Sequence, residues 1–303
     1  MTNLVQFPGL GLSFELDRVA FSIGGMNIYW YGVCIAVGMC LALVFAFRHS
    51  VEFGVDADAM VDVILIGVVM GILCARLYYV ALSPYQYHSL KDVLAIRDGG
   101  LAIYGGIIGA FLFGGLACKW RKVPVLPMFD LAAMGFLIGQ GCGRWGNFFN
   151  REAFGDYTNS LFAMAIPTDY YVGKGTLTGM INSGIITSEM ANHMQVYDGM
   201  QWITVHPTFL YESVWNLILL IVIFIYRKHK KFDGEIFLMY LWGYGLGRVW
   251  IEGLRSDSLM LPFFNMKVSQ MIAAICVLAC SVLIVKKRMD TVKKQAPAGK
   301  KEQ

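Results

Sequence analysis

Along most of this chain apolar residues do not alternate with polar ones but run together for lengths that fit a membrane. Seven such stretches, at 27–47, 59–82, 100–119, 128–148, 207–226, 235–254 and 268–285, each come close to the ~20 residues that a helix needs to cross hydrocarbon. One connection stands apart from the others. Residues 149–206 are polar, carry Gly173, Gly175, Gly179, Asn182 and Ser183, and contain alternating pieces, SLFAMAIP and QWITVHP, that read as short strands. Connections this long are uncommon unless they act as lids or binding elements, and a small cap of mixed structure is expected there. Residues 1–26 place Phe7, Leu10, Leu12, Phe14, Leu16, Val19 and Phe21 among polar neighbours. That pattern fits either a segment lying along the membrane interface or a short strand. The two halves show no repeat, which argues against a transporter built from duplicated bundles.

Composition turns the pattern into a fold class. The chain is 57% hydrophobic and 15% charged, with a mean hydropathy of +0.56, more apolar surface than one soluble core of 303 residues can hide. The basic residues then orient it. With the N-terminus outside, 15 of the 25 lysines and arginines fall in inner segments, seven in outer segments, and Arg76, Arg144 and Arg248 within spans, as positively charged cytoplasmic loops require. The expected fold is an all-α polytopic membrane protein of seven transmembrane helices, N-terminus outside and C-terminus cytoplasmic, with a small mixed extracytoplasmic cap. Its parts are an outer segment 1–26, helices one to four within 27–148, the cap 149–206, helices five to seven within 207–285, and a basic cytoplasmic tail 286–303 near anionic lipid. The opening residues mix Pro, Gly, Asp, Glu and Arg, unlike a cleavable signal peptide, so the first span is expected to serve as the insertion signal. Cys34, Cys40, Cys74, Cys118, Cys142, Cys276 and Cys280 sit in or at the ends of spans without a CxxC or Cys/His cluster, and neither disulfides nor a metal are expected. A net charge of +4 is explained by the basic loops, with no nucleic acid needed.

Arginine within a membrane is costly unless it meets water, a partner or a phosphate. Given the orientation, Arg76, Arg144 and Arg248 all lie in the outer half, where snorkelling alone accounts for any one of them. Together, with Glu152, Glu212 and Glu252 nearby, they point to a polar chamber open to the outer leaflet. Arg248 shares a helix face with Tyr244 and Glu252, each four residues away, so a purely structural ion pair is the alternative; Arg255 extends the same series to the outer rim. Guanidinium groups match phosphate oxygens with paired hydrogen bonds, and phospholipid head groups are the anions at hand. Tyr31 in YWYG, Tyr104 in GGLAIYGG, and His206, Tyr211 and Glu212 in HPTFLYES sit at outer span ends, although a single interfacial Tyr is more often an anchor than chemistry.

These residues carry a resemblance. GCGRWGNFFNREAFG resembles the signature of bacterial prolipoprotein diacylglyceryl transferases, and WYG, RDGGLAIYGG, HPTFLYES and YGLGRVWIEGLR accompany it in the family's order over about 27–255. The resemblance implies transfer of the diacylglyceryl part of phosphatidylglycerol to the lipobox cysteine of preprolipoproteins. A thioether forms and glycerol phosphate leaves, at the extracytoplasmic face of the bacterial cytoplasmic membrane, in a monomer without cofactor or metal. It assigns Arg144 and Arg248 to the phosphate and its developing charge, with Tyr104 and Glu252 at the reacting centre. Tyr31, Asn147, Asn150, Glu152, Gly155, His206, Tyr244 and Arg255 fall on the substrate-binding side. One position departs: Tyr104 stands where many members carry His, and a phenol of pKa ~10 is a poor base at neutral pH, so Tyr104 is expected to hydrogen-bond substrate. Glu252, Glu152 or His206 remain as bases, or neighbouring arginines lower the thiol pKa directly. A seven-helix lipid transporter, or a membrane protein that only binds phosphate at the outer leaflet, is the competing reading.

Overall fold

The computed structural model describes residues 3–83, 87, 89–96, 99–169, 177–182, 184–197, 199–256 and 267–295. Gly173, Gly175 and Ser183 of the long connection lie outside them. Among the described residues there are seven helices of 18 residues or more: α1 (Trp30–His49), α2 (Ala57–Leu82), α3 (Ile103–Trp120), α4 (Val125–Asn150), α5 (Thr208–Tyr226), α6 (Glu235–Leu254) and α7 (Val268–Gln295). Six are long and apolar enough to cross a membrane; α6 is not among them, because Glu235, Arg248 and Glu252 and its glycines dilute its apolarity. Helices α1, α2 and α7 expose Ile35, Met39, Leu41, Leu65, Val69, Leu278 and Val282, which suits lipid rather than water around them. The chain is a multi-pass membrane protein.

Two helix ends differ from the apolar pattern. The first stretch opens at residue 27, yet α1 begins at Trp30, because Met26–Tyr29 forms strand β4 of a hairpin with β3 (Val19–Ile23). The last helix runs beyond Val285 to Gln295. Lys and Arg are good helix formers, and Arg288 has a reason to be held: its Nε lies 2.6 Å from the buried Glu235 and its second nitrogen donates to Tyr226 at 2.7 Å. Tyr226 also donates to Glu235 at 3.1 Å, so α5, α6 and α7 are clasped together at this end.

The chain divides into two compact units, Met1–Leu43 with Ala133–Gln303, and Val44–Ala132. In the first, an antiparallel sheet of order β2-β1-β5-β7-β6 joins β1 (Leu4–Phe7) and β2 (Leu12–Glu15) to β5 (Met164–Pro167), β6 (Gln195–Tyr197) and β7 (Met200–Val205). Of the two readings of the opening residues, the short strand is the one found, and these strands share a sheet with the long connection. Alternation decides which face is covered: Val5 and Phe7 of β1, with Met164, Ile166, Ile203 and Val205, form a core completed by Met180, Ile186 and Met190. Phe148 and Phe209, near the ends of α4 and α5, enter the same core with ring centroids 4.6 Å apart, which fixes the sheet onto those two helix ends.

In the second unit α2 packs on α3 through small residues, Cys74 against Gly109, as close helix pairs in lipid do. Arg76 is buried here and donates to the backbone carbonyls of Asp92, Val93, Gly99 and Gly100 at 2.7–3.0 Å. Its guanidinium is engaged in holding the loop before α3. Of the three arginines within spans, it is the one whose partners are main-chain carbonyls.

Candidate functional site

Three contacts set the registers of α4, α5 and α6. The Trp145 indole donates to Ser213 at 3.2 Å, Ser213 in turn donates to the Gly141 carbonyl at 3.1 Å, and the Trp215 indole donates to the Gly243 carbonyl at 2.9 Å. These bring together Arg144 from α4, Glu212 from α5, and Arg248 and Glu252 from α6. Glu212 is buried and takes both arginines at once, Arg144 at 2.7 Å and Arg248 at 3.3 Å. Arg248 also pairs with the buried Glu252 one turn along its helix. Two guanidiniums and two carboxylates make a neutral cluster, and burial in an apolar surround is tolerable only for charges paired this way. The i,i+4 pair was legible in the sequence. Glu212 as the bridge was not, although its place in HPTFLYES pointed near it. Tyr244, with Glu212, Asn216 and Arg248, lines a small cavity of ≈ 10 Å³ beside the cluster.

A second group forms where α4 ends. Asn147 and Asn150 both donate to Glu152 Oε1, at 3.1 and 3.2 Å, so the two amides hold a carboxylate that the sequence alone left unplaced. Arg18 donates to Asn150 Oδ1 at 3.4 Å. Arg18, Asn27, Tyr29, Tyr31 and Asn150 line an open cavity of ≈ 430 Å³. Tyr31 reaches it by crossing Gly146, where a Cβ would lie 2.6 Å from the Tyr31 ring. The helix stops because Arg151 and Ala153 take positive φ, +48° and +56°, a turn that brings Glu152 back beneath Asn147.

A third group is backbone. Gly155 pairs with Arg255 in an antiparallel bridge and donates to the His206 carbonyl at 2.9 Å, while Asp156 donates to the Leu254 carbonyl at 2.8 Å. A Cβ at position 155 would stand 2.7 Å from His206 Cβ and 2.9 Å from the Leu254 oxygen. Main chain cannot yield cheaply, so Gly155→Ala will cost ~1–3 kcal/mol through overpacking, read as a lower Tm in detergent. Wild-type thermal stability in that variant would show that the strand gives way freely.

The His206 ring is held by a neutral partner. Its Nδ1 lies 3.3 Å from the Tyr211 hydroxyl, and burial pulls its pKa below the ordinary imidazole value against the opposing pull of Asp156. It is neutral at pH 7. The unfolded chain, titrating near ~6.5, takes its proton first, so stability is full above that value and falls as the pH drops below it until the folded imidazole also protonates. The Tm will therefore fall on acidification from about pH 7 to about 5.5, and less steeply in His206→Asn; parallel curves would remove His206 as the cause. Tyr104, in the first turn of α3, belongs to the other unit and is 42% exposed.

The sequence profile of the family described as prolipoprotein diacylglyceryl transferase matches residues 18–286. The chain belongs to the prolipoprotein diacylglyceryl transferase family. It is similar to proteins named phosphatidylglycerol--prolipoprotein diacylglyceryl transferase from Clostridium novyi (strain NT), 38% identical over 89% of this chain and 96% of the relative, and from Bacillus cereus (strain 03BB102), 38% identical over 94% and 98%. The relative of that name from Clostridioides difficile (strain 630) is 34% identical over 92% of this chain and 100% of its own. The stretches WYG, RDGGLAIYGG, GCGRWGNFFNREAFG, HPTFLYES and YGLGRVWIEGLR all lie within the matched span.

Proposed function

We propose that this protein transfers the diacylglyceryl group of phosphatidylglycerol to the lipobox cysteine of preprolipoproteins, the first step of lipoprotein maturation, at the outer face of the bacterial cytoplasmic membrane. The observation that carries the reading is the pair Arg144 and Arg248 held by one carboxylate inside a set of lipid-exposed helices, in a chain of this transferase family. In this reading α6 is the seventh span and its charges are the site. The N-terminus and the sheet lie outside, the clasp of Glu235, Tyr226 and Arg288 inside, and the monomer is the working unit.

The reaction is a displacement at carbon. The cysteine sulfur attacks the glyceryl carbon, the carbon–oxygen bond to phosphate breaks, and the phosphate oxygen gains the electron pair. A guanidinium has five N–H donors, and the ion pairs with Glu212 and Glu252 run through one nitrogen of Arg144 and two of Arg248, which leaves donors on both for the phosphate. Charge developing there meets donors already in place, and such preorganised stabilisation is usually what lowers the barrier most. The Asn147, Asn150 and Glu152 group suits the hydroxyls of the glycerol head, beside Tyr31. Tyr244 supplies a hydrogen bond to substrate, and Gly155, His206 and Arg255 shape the wall against the cap. Binding and catalysis here need no metal.

The test is transfer of labelled diacylglyceryl from phosphatidylglycerol to a lipobox peptide by the purified protein. Label on the peptide thiol together with released glycerol phosphate is the expected outcome. A folded protein that leaves the peptide unmodified with both substrates present would sink the reading.

A further inference from the structure

The formal charges of Arg144, Arg248, Glu212 and Glu252 cancel, and Lys267 stands beside them with its Nζ 2.7 Å from the Glu252 backbone oxygen. The diacylglyceryl transfer of the proposed function, on which the inference rests, brings in a phosphodiester of charge −1 and turns it into a monoester that gains a second charge. At the same moment a thiol must lose its proton. Those four groups match the charge gained at the phosphate when one of the carboxylates takes up a proton, and the thiol proton is the one that the reaction must release.

Of the two carboxylates, Glu252 pairs with Arg248 on its own helix, whereas Glu212 bridges both arginines from a third helix. Protonating Glu212 therefore frees the Arg144 guanidinium and the Nη1 side of Arg248 toward the phosphate in one event, while Nη2 of Arg248 stays with Glu252. Its position also has somewhere to go. Asn216, one turn along α5, is buried, and its Nδ2 has no acceptor among the described residues; it lines the ≈ 10 Å³ cavity that Glu212 lines, a space about the size of one water. A buried amide left without an acceptor is costly. It makes sense as a donor held ready for the Glu212 carboxylate once phosphate has taken its arginines, directly or through one water.

We propose that Glu212 is the general base that accepts the lipobox thiol proton. In the balanced step the S–H proton passes to the Glu212 carboxylate, the sulfur–carbon bond forms, the carbon–oxygen bond breaks with its electron pair going to phosphate, and the cluster rises from neutral to +1 as the leaving phosphate gains one negative charge. Carboxylates held by amides, as Glu152 is by Asn147 and Asn150, have no such coupling to the arginines.

The experiment compares two peptides that differ in one atom, a lipobox with cysteine and the same lipobox with selenocysteine, whose selenol is ionised at neutral pH without a base. For wild type and Glu212→Gln, the readout is the ratio of the two transfer rates, in which any loss of active protein cancels. Removing a general base costs about 10²–10⁴-fold, so the cysteine rate of Glu212→Gln is expected to fall by at least about 10²-fold relative to its selenocysteine rate. An unchanged ratio overturns the proposal, whether both rates fall together, which would make Glu212 a holder of the arginines, or neither falls. Wild-type protein that modifies neither peptide would instead defeat the reaction itself.

Discussion

Arg144→Ala will lose transfer by about 10²–10³-fold, the cost of removing one preorganised donor set from a developing oxyanion, while the protein stays folded. Folding survives because of how the cluster is wired. With Arg144 gone, Glu212 still has Arg248, and Arg248 still has Glu252, so both carboxylates of the cluster keep a cation. Arg248→Ala is a less clean experiment, because it takes from Glu252 its partner one turn away and leaves Glu212 to Arg144 alone, and breaking a buried ion pair costs several kcal/mol, about 3–5. Its lower rate would mix lost catalysis with lost structure. Arg144→Lys supplies the graded case: the charge survives and the fork that grips two phosphate oxygens does not, so its rate is expected between those of wild type and alanine. The measurement is single-turnover transfer alongside a thermal melt in detergent. A wild-type rate in folded Arg144→Ala would remove the phosphate clamp from the mechanism.

What could be read from the chain alone divides along the physics of distance. Unbroken apolar runs placed the seven long helices to within about three residues at every end but the last, where α7 runs ten residues past Val285, because each run is a local signal of the cost of exposing or burying side chains. The expense of arginine in hydrocarbon marked Arg144 and Arg248 as residues with partners, and the four-residue spacing named one partner, Glu252. Glu212 could not be paired the same way. Its contacts cross from α5 to α4 and α6, and their registers rest on Trp145 with Ser213 and on Trp215 with Gly243, pairs about 30 to 70 residues apart in sequence with no local periodicity linking them. Arg76 shows the converse. Its cost in the membrane is as visible as that of the other two, but it is met by carbonyls of the loop from Asp92 to Gly100, and a backbone acceptor leaves no mark in the sequence. The partner of the opening strands was equally hidden, since Leu4–Phe7 pairs with Met164–Pro167, and alternation tells which face is buried without telling against what.

Arg151 is where this hidden structure carries the largest consequence for stability. It is 1% exposed, the largest of the fully buried side chains, and its guanidinium donates to the carbonyls of Asn3, at 2.9 Å, and of Leu16. Through it the end of α4, and so the Glu152 turn, is tied to both edges of the β1–β2 hairpin. Arg151→Ala strands the Leu16 carbonyl and leaves a cavity, while the Asn3 carbonyl keeps the Leu16 N–H at 2.6 Å, and we expect a loss of about 3 kcal/mol, from ~1–3 for the one unsatisfied group together with ~2 or more for the lost packing. The backbone at 151 adds a second quantity. Its φ of +48° lies in the left-handed region, which costs an L side chain roughly 1–2 kcal/mol that glycine does not incur. Arg151→Gly loses the same guanidinium but relieves the strain, so it should be more stable than Arg151→Ala by roughly 1 kcal/mol, although alanine is ordinarily the more stabilising residue. Denaturant unfolding in detergent gives both differences, and hydrogen exchange locates them: in both variants the amides of Leu4–Phe7 and Leu12–Glu15 are expected to lose protection first. If alanine proves the more stable replacement, the turn is not strained and the guanidinium alone holds it; if neither variant loosens those strands, the tie to Asn3 and Leu16 carries little of the sheet's stability.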